Sequence, residues 1–289
     1  MSTIEKVMQR QHSDSPVHVD EPGKKPSESG NHGAPGSAYH VDLAELEKQG
    51  FLIPELGNHR LAEEYRMIKR PILKNAFGNT AAHIEHSNLI MVVSALTGEG
   101  KTFTTLNLAM SMSQERDTTV LIVDSDVIRP SLTNLFNLQG HPGLTDLLQD
   151  ASLCLGDVIV NTDIPKLRIL PAGKTNIYST ELLASKRMEQ VAGELSSHYQ
   201  DRIVLFDSPP LLITSQASVL AYPMGQILLV VEAGSTSQGA LKEALCMLDS
   251  NKVIGMILNK TPKVMFGTKY SGYGYGSGPE KGEIPGGAS

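Results

Sequence analysis

The chain has no tryptophan and, among 289 residues, only two cysteines, Cys154 and Cys246. These stand far apart and in no Cys-x-x-Cys pair. Neither a disulfide scaffold nor a cysteine-bound metal is expected, and a reduced, intracellular setting is. No apolar run approaches the roughly 18–20 residues needed to span a bilayer. The N-terminus lacks the apolar segment of a signal peptide. A cytosolic protein is the expectation, with any membrane association supplied by a partner. Basic excess is also missing. The formal charge is −6 and no basic stripe is visible, which argues against a general nucleic-acid binder. With 40% hydrophobic and 19% charged residues, the remainder is ordinary soluble composition, and the length is ample for one large core.

Residues 89–93, Leu-Ile-Met-Val-Val, form a short continuous apolar run, as in a strand buried on both faces. Phe103, Leu106, Ala109, Met110 and Met112 then recur near helical spacing. Between them lies Ser94-Ala95-Leu96-Thr97-Gly98-Glu99-Gly100-Lys101-Thr102, a phosphate-binding loop with Ala in place of the first Gly. Gly98 and Gly100 let the backbone turn and bring N–H groups to phosphate oxygens. The following helix adds its free N–H groups and positive dipole end. Expected nucleotide contacts run through Thr97, Gly98, Glu99, Gly100, Lys101, Thr102 and Phe103. Lys101 can reach the β- and γ-phosphates of ATP, and the Thr102 hydroxyl can ligand Mg2+. A plain Gly-rich turn with a surface lysine is the simpler explanation, but the strand–loop–helix setting favours a nucleotide.

Residues 1–37 are polar, with four prolines among Ser, Gly, Lys and Glu, and are expected to be disordered. Seven of nine histidines fall before residue 87 at spacings that match no metal site. Residues 42–50 predict a short helix with Asp42 and Glu45 as a capping box and Gly50 as its end. Residues 61–75 predict a second, with Leu61, Tyr65, Ile68, Ile72 and Leu73 on its apolar face and a kink or break at Pro71. Its other face, Glu63, Glu64, Arg66, Lys69 and Arg70, is on spacing alone a solvated charged face. Strands are expected at 88–94, 119–124, 167–171, 202–207, 226–232 and 253–259. Helices are expected near 103–114, 143–149, 179–198 and 237–249, the last capped by Ser235 and Gln238. This alternation predicts an α/β fold, a mostly parallel, doubly wound sheet with helices on both faces and ligands at the carboxyl ends of its strands. Residues 38–87 then form an N-terminal helical segment, 88–262 the P-loop domain, and 263–289 a flexible Gly-rich tail bearing Tyr270, Tyr273 and Tyr275.

Two further apolar strands end in aspartates, one in Asp124-Ser125-Asp126, the other in Asp207-Ser208-Pro209-Pro210. A carboxylate there is costly unless it faces a cation or solvent. Asp124, Asp126 and Asp207 are thus expected to converge with Lys101 on the magnesium and the γ-phosphate, the set that phosphoryl transfer needs. Asn259, ending the last strand, can hydrogen-bond the nucleotide base or serve as an ordinary loop residue.

With these residues in place, the chain resembles the P-loop tyrosine kinases of bacteria, which are unrelated to eukaryotic protein kinases. Within them it looks most like the stand-alone tyrosine autokinases of exosortase-associated exopolysaccharide loci. The resemblance runs from about residue 41 onward. It includes Lys-Arg-Pro-Ile-Leu at 69–73, the loop at 94–103, Leu-Pro-Ala-Gly at 170–173, Glu-Leu-Leu-Ala-Ser at 181–185 and Asp-Arg-Ile-Val-Leu-Phe-Asp-Ser-Pro-Pro-Leu-Leu at 201–212. It implies an ATP site in which Asp124 is the base for a tyrosine hydroxyl and Asp126 and Asp207, with Thr102, orient the magnesium shell. It implies autophosphorylation in trans at Tyr270, Tyr273 and Tyr275, within a ring-like homo-oligomer such as an octamer. The family's subunit motif Glu-x-x-Arg-x-x-Arg maps to Glu63, Arg66 and Lys69, with Lys in place of the second Arg; this replaces the solvated-face reading. The resemblance also implies a separate membrane activator of the chain-length or co-polymerase type, a counteracting tyrosine phosphatase, and a place at the inner face of the cell membrane.

Rival readings share the fold. Partition and positioning ATPases usually carry an extra lysine early in the loop, where this chain reads Ala95-Leu96-Thr97-Gly98. Iron–sulfur scaffolds need close cysteines, which Cys154 and Cys246 do not supply. A nucleotide-binding scaffold with a plain Gly/Tyr tail is the third rival.

Overall fold

The computed structural model describes residues 38–54, 59–78, 84–197 and 201–262. The segment 1–37 and the tail with its three tyrosines lie outside the described residues. In chain order the helices are α1 (Leu43–Lys48), α2 (His59–Phe77), α3 (Lys101–Ser113), α4 (Ser131–Leu135), α5 (Leu144–Gln149), α6 (Leu155–Val158), α7 (Ser179–Leu183), α8 (Lys186–Ser197), α9 (Gln216–Leu220) and α10 (Gln238–Cys246). The strands are β1 (Leu89–Ser94), β2 (Thr119–Asp124), β3 (Val160–Asn161), β4 (Leu167–Leu170), β5 (Arg202–Asp207), β6 (Gln226–Glu232) and β7 (Val253–Asn259).

The strands form one sheet in the order β3-β4-β2-β5-β1-β6-β7. Every pairing is parallel except the short β3, which runs antiparallel to β4. β1 lies inside the sheet, so its six residues are fully covered and carry no alternation. Successive side chains still point to opposite faces. Leu89, Met91 and Val93 pack with α5, α8 and α9 in one core cluster. Ile90 and Val92 pack with α2 and α3 in the other.

The N-terminal segment belongs to that second cluster. Val41, Leu46, Leu52, Tyr65 and Ile72 are buried in it. Asp42 caps α1 by accepting from Glu45 N at 3.0 Å, and Gly50, at φ +85°, ends the reversal. Of the kink or break expected at Pro71, the break does not occur: α2 runs through it as one helix. Pro71 and Met67, whose carbonyl loses the i−4 bond, both lie exposed, so water can take the place of the missing N–H. The helix expected over 179–198 is two helices. The Ser185 hydroxyl accepts from Met188 N at 3.3 Å and starts α8 afresh. α10 is capped by Ser237, accepting from Ala240 N at 3.1 Å, and not by Ser235, which still belongs to the turn after β6. Among the described residues no helix is long and apolar enough to cross a membrane.

Candidate functional site

The loop after β1, at the centre of the sheet, is shaped by two glycines with left-handed backbone, Gly98 at φ +90° and Gly100 at φ +96°. A side chain at Gly100 would also collide with the Asn259 amide. α3 starts at Lys101, so its first N–H groups line the concave side of the loop.

The carboxyl ends of β1, β2 and β5 bring the expected acidic set to this loop. Asp124 stands in register with Asp207 on the neighbouring strand. Lys101 Nζ lies 3.2 Å from Asp126 Oδ2, and Thr102 Oγ1 donates to Asp207 Oδ2 at 2.7 Å. Asp124 and Asp207 are fully covered and Asp126 is nearly so. Burial, then the neighbouring Asp207 charge, pushes the Asp124 carboxyl up to about 7. Burial raises Asp207 to about 6, with Lys101 and the Thr102 hydroxyl pulling the other way.

Four residues that complete this arrangement were not among the expected site residues. Thr133, at α4, gives Asp124 Oδ2 two bonds, from its N at 2.7 Å and its Oγ1 at 2.8 Å. Ala172 N in turn donates to Thr133 Oγ1 at 3.0 Å. Thr105 Oγ1 donates to Asp207 Oδ1 at 3.3 Å, and Ser125 Oγ to the Asp207 carbonyl at 2.7 Å. Thr236, in the loop after β6, donates to Glu99 Oε1. Glu99 Oε2 accepts from Leu96 N at 2.7 Å, so this buried glutamate ties the phosphate loop to itself and to β6. Ser125 and Thr105 sit inside or next to motifs already singled out. Thr133 and Thr236 are brought in by the fold.

The remaining expected residues fall as follows. Asn259 donates from Nδ2 to the Glu99 carbonyl at 2.9 Å, which makes it a prop of the loop. The Phe103 ring packs on Phe51, centroids 5.2 Å apart, and Thr97 is exposed. Glu63 and Arg66 form an exposed ion pair on α2. Lys69 does not join them. Its ammonium is buried between α2 and α3, 2.7 Å from Glu115 Oε1 and 2.6 Å from the Ser111 carbonyl. The family motif set it with Glu63 and Arg66, but Lys69 faces the core side of α2, beside Tyr65 and Ile72. Arg70 is the cation left exposed nearby.

Three buried carboxylates against one lysine suit a divalent cation. The buried Asp124 Oδ1 has no hydrogen-bond partner among the described residues. No group of three His, Cys, Asp or Glu there is disposed to hold a metal unaided. That fits Mg2+, which takes one or two carboxylates and completes its shell with water and phosphate oxygens.

Sheet order, phosphate loop and strand-end aspartates define a P-loop nucleotide-binding protein of the partition-ATPase type. A family model described as ParA, NUBPL iron-transfer P-loop NTPase, matches residues 85–197. The tyrosine-protein kinase YwqD of Bacillus subtilis is 31% identical over 217 residues, 74% of this chain and 85% of that protein. The putative tyrosine-protein kinase CapB of Staphylococcus aureus is 29% identical over 216 residues, 74% and 90% of the two chains. The kinase domain of the Escherichia coli tyrosine kinase ETK superposes with a TM-score of 0.62 at 26% identity, covering 83% of this chain and 95% of that one. The chain belongs to the bacterial tyrosine-protein kinase family of P-loop proteins.

Proposed function

We propose that the chain is an ATP-dependent protein-tyrosine autokinase that transfers the γ-phosphate of Mg-ATP to Tyr270, Tyr273 and Tyr275 of a neighbouring copy, and so regulates exopolysaccharide synthesis or export. The observation that carries this reading is the convergence of Lys101, Thr102, Asp126 and Asp207 within hydrogen-bonding distance at the end of β1.

In this mechanism the loop N–H groups and the start of α3 cradle the phosphates. Lys101 leaves Asp126 for the β- and γ-phosphates. Thr102, Asp126 and Asp207 would hold Mg2+, which neutralises charge developing on the transferred phosphoryl group. The tyrosine oxygen forms a bond to the γ-phosphorus as the bond to ADP breaks. The phenolic proton passes to Asp124, whose raised affinity for a proton suits a base working near neutral pH. Thr133 fixes the carboxylate by one oxygen and leaves the other to act.

Glycines around the three tyrosines let the tail enter a second copy's site with few contacts to lose. Each phosphate adds a charge of about −1.5 to −2, which repels the tail from the acidic site and loosens the assembly. Glu63 and Arg66, exposed on α2, are available to a neighbouring subunit in a ring-like homo-oligomer. A membrane activator of the co-polymerase type would hold the protein at the inner face of the cell membrane, and a tyrosine phosphatase would reset it.

The test is mass spectrometry of the full chain after incubation with magnesium and ATP, with and without a membrane activator, beside a Lys101→Met control. Phosphate on the tail tyrosines, absent in the control, is expected. ATP hydrolysis without tyrosine modification in the activator's presence would replace the kinase by an ATPase switch.

A further inference from the structure

α2 turns to solvent a stripe that the core does not use. Glu63, Arg66, Met67, Arg70 and Lys74 are exposed, at the three- and four-residue spacing of one helical face. Met67 keeps 65% of its surface open, with Arg70 three residues on. Glu63 pairs with Arg66, whereas Arg70 and Lys74 have no ion-pair partner among the described residues. The complement of an apolar side chain beside unpaired cations is an apolar recess with an acidic rim.

Such a recess, of about 370 Å3, lies between the α7–α8 junction, α9 and the turn before β6. Leu183, Met188, Val219 and Pro223 give it apolar walls. Glu189 is the one charged residue among those lining it, and Tyr222, 73% exposed, offers it a ring. α2 packs on the sheet face that carries Ile90 and Val92, whereas Leu183 and Met188 pack on the face of Leu89 and Met91. Stripe and recess therefore lie on opposite faces of the sheet, and a single chain cannot join its own two. The free edge of β7 is a poorer candidate for contact. It exposes Met256 and Leu258 beside main-chain groups that no described strand pairs, but it carries no charge to orient a partner.

We propose that α2 of one copy docks in this recess of the next, with Met67 entering the apolar walls and Arg70 pairing with Glu189 over the Tyr222 ring. An unbranched methionine adapts to an irregular recess. A guanidinium can meet a carboxylate and an aromatic face at once. Because the two surfaces differ, the contact is head-to-tail, and its repetition closes a ring or, if the rotation does not close, runs on as a fibre. The proposal rests on the self-assembly contained in the kinase reading and names the surface that receives α2.

Sedimentation velocity of the full chain at rising concentration tests it, beside Arg70→Glu, Glu189→Arg and a chain carrying both. Both residues are exposed, and melting curves verify that the fold stays intact. Each single substitution is expected to weaken association about tenfold or more, and the double to restore most of it, because the charges then exchange places. An unsubstituted chain that is monomeric at every concentration overturns the proposal. So does association that either single substitution leaves unchanged, or that the double fails to restore. Association is read without nucleotide and tail phosphorylation separately with Mg-ATP. Assembly that follows this pattern with no phosphate on the tail removes the kinase and leaves the docking in place.

Discussion

Asp124 and Asp207 face each other across neighbouring strands, in register, fully buried, with Lys101 bound to neither but to Asp126. Two carboxyls held this way take up protons more readily in the folded chain than in the unfolded one. Their contribution to stability is full below about pH 4, the unfolded value, and is lost as the pH rises toward 7 for Asp124 and 6 for Asp207. Nucleotide-free protein is therefore expected to melt progressively lower from pH 4 to pH 7. Asp124→Asn should remove on the order of a few kcal/mol of the stability difference between pH 4 and pH 7. Denaturant titrations at a series of pH values measure it, and an unchanged slope would show that Asp124 is not charged against its surroundings.

Thr133→Val removes one of the two bonds that hold Asp124 and the acceptor used by Ala172 N. A loss of about 1–3 kcal/mol is expected, with Thr133→Ser restoring most of it. The same substitution should lower phosphorylation of the tail more than it weakens nucleotide binding, read by comparing kcat with KM for ATP.

Thr236→Val leaves a buried Glu99 oxygen without its donor. Loss of about 1–3 kcal/mol and weaker nucleotide binding are both expected, because Glu99 shapes the loop through Leu96 N. Isothermal titration with Mg-ATP and a melting curve separate the two effects.

Lys69 and Arg66 should behave differently although they sit three residues apart. Lys69→Ala strips a buried carbonyl and Glu115 of their partner and is expected to lower monomer stability by about 1–3 kcal/mol. Arg66→Ala breaks only an exposed pair and should change stability by no more than about 0.5 kcal/mol, acting instead on assembly, as sedimentation would show.

Much of this was legible from residue order. Continuous apolar runs gave β1, β2, β5 and β6 because an inner parallel strand is buried on both faces and needs no alternation, and the run at β7 is as apolar although that strand is an edge. The glycine spacing and strand-end aspartates located the site because each is costly unless it meets an anion or a cation. The short α4, α6 and α9 left no periodic trace, being one turn or little more, and β3 is a two-residue edge. Thr133 and Thr236 were invisible for a different reason. A hydroxyl that serves a carboxylate across the fold looks, in sequence, like any other polar residue. Lys69 was grouped with Glu63 and Arg66 by the family motif, whereas its position on α2 turns it with Tyr65 and Ile72 toward the core.

The bare flank of β7 has a practical side. A chain cut after Pro262 would display Met256 and Leu258 beside unpaired main-chain groups with no charge to repel a like edge. Such a fragment should precipitate or stack edge to edge as its concentration rises.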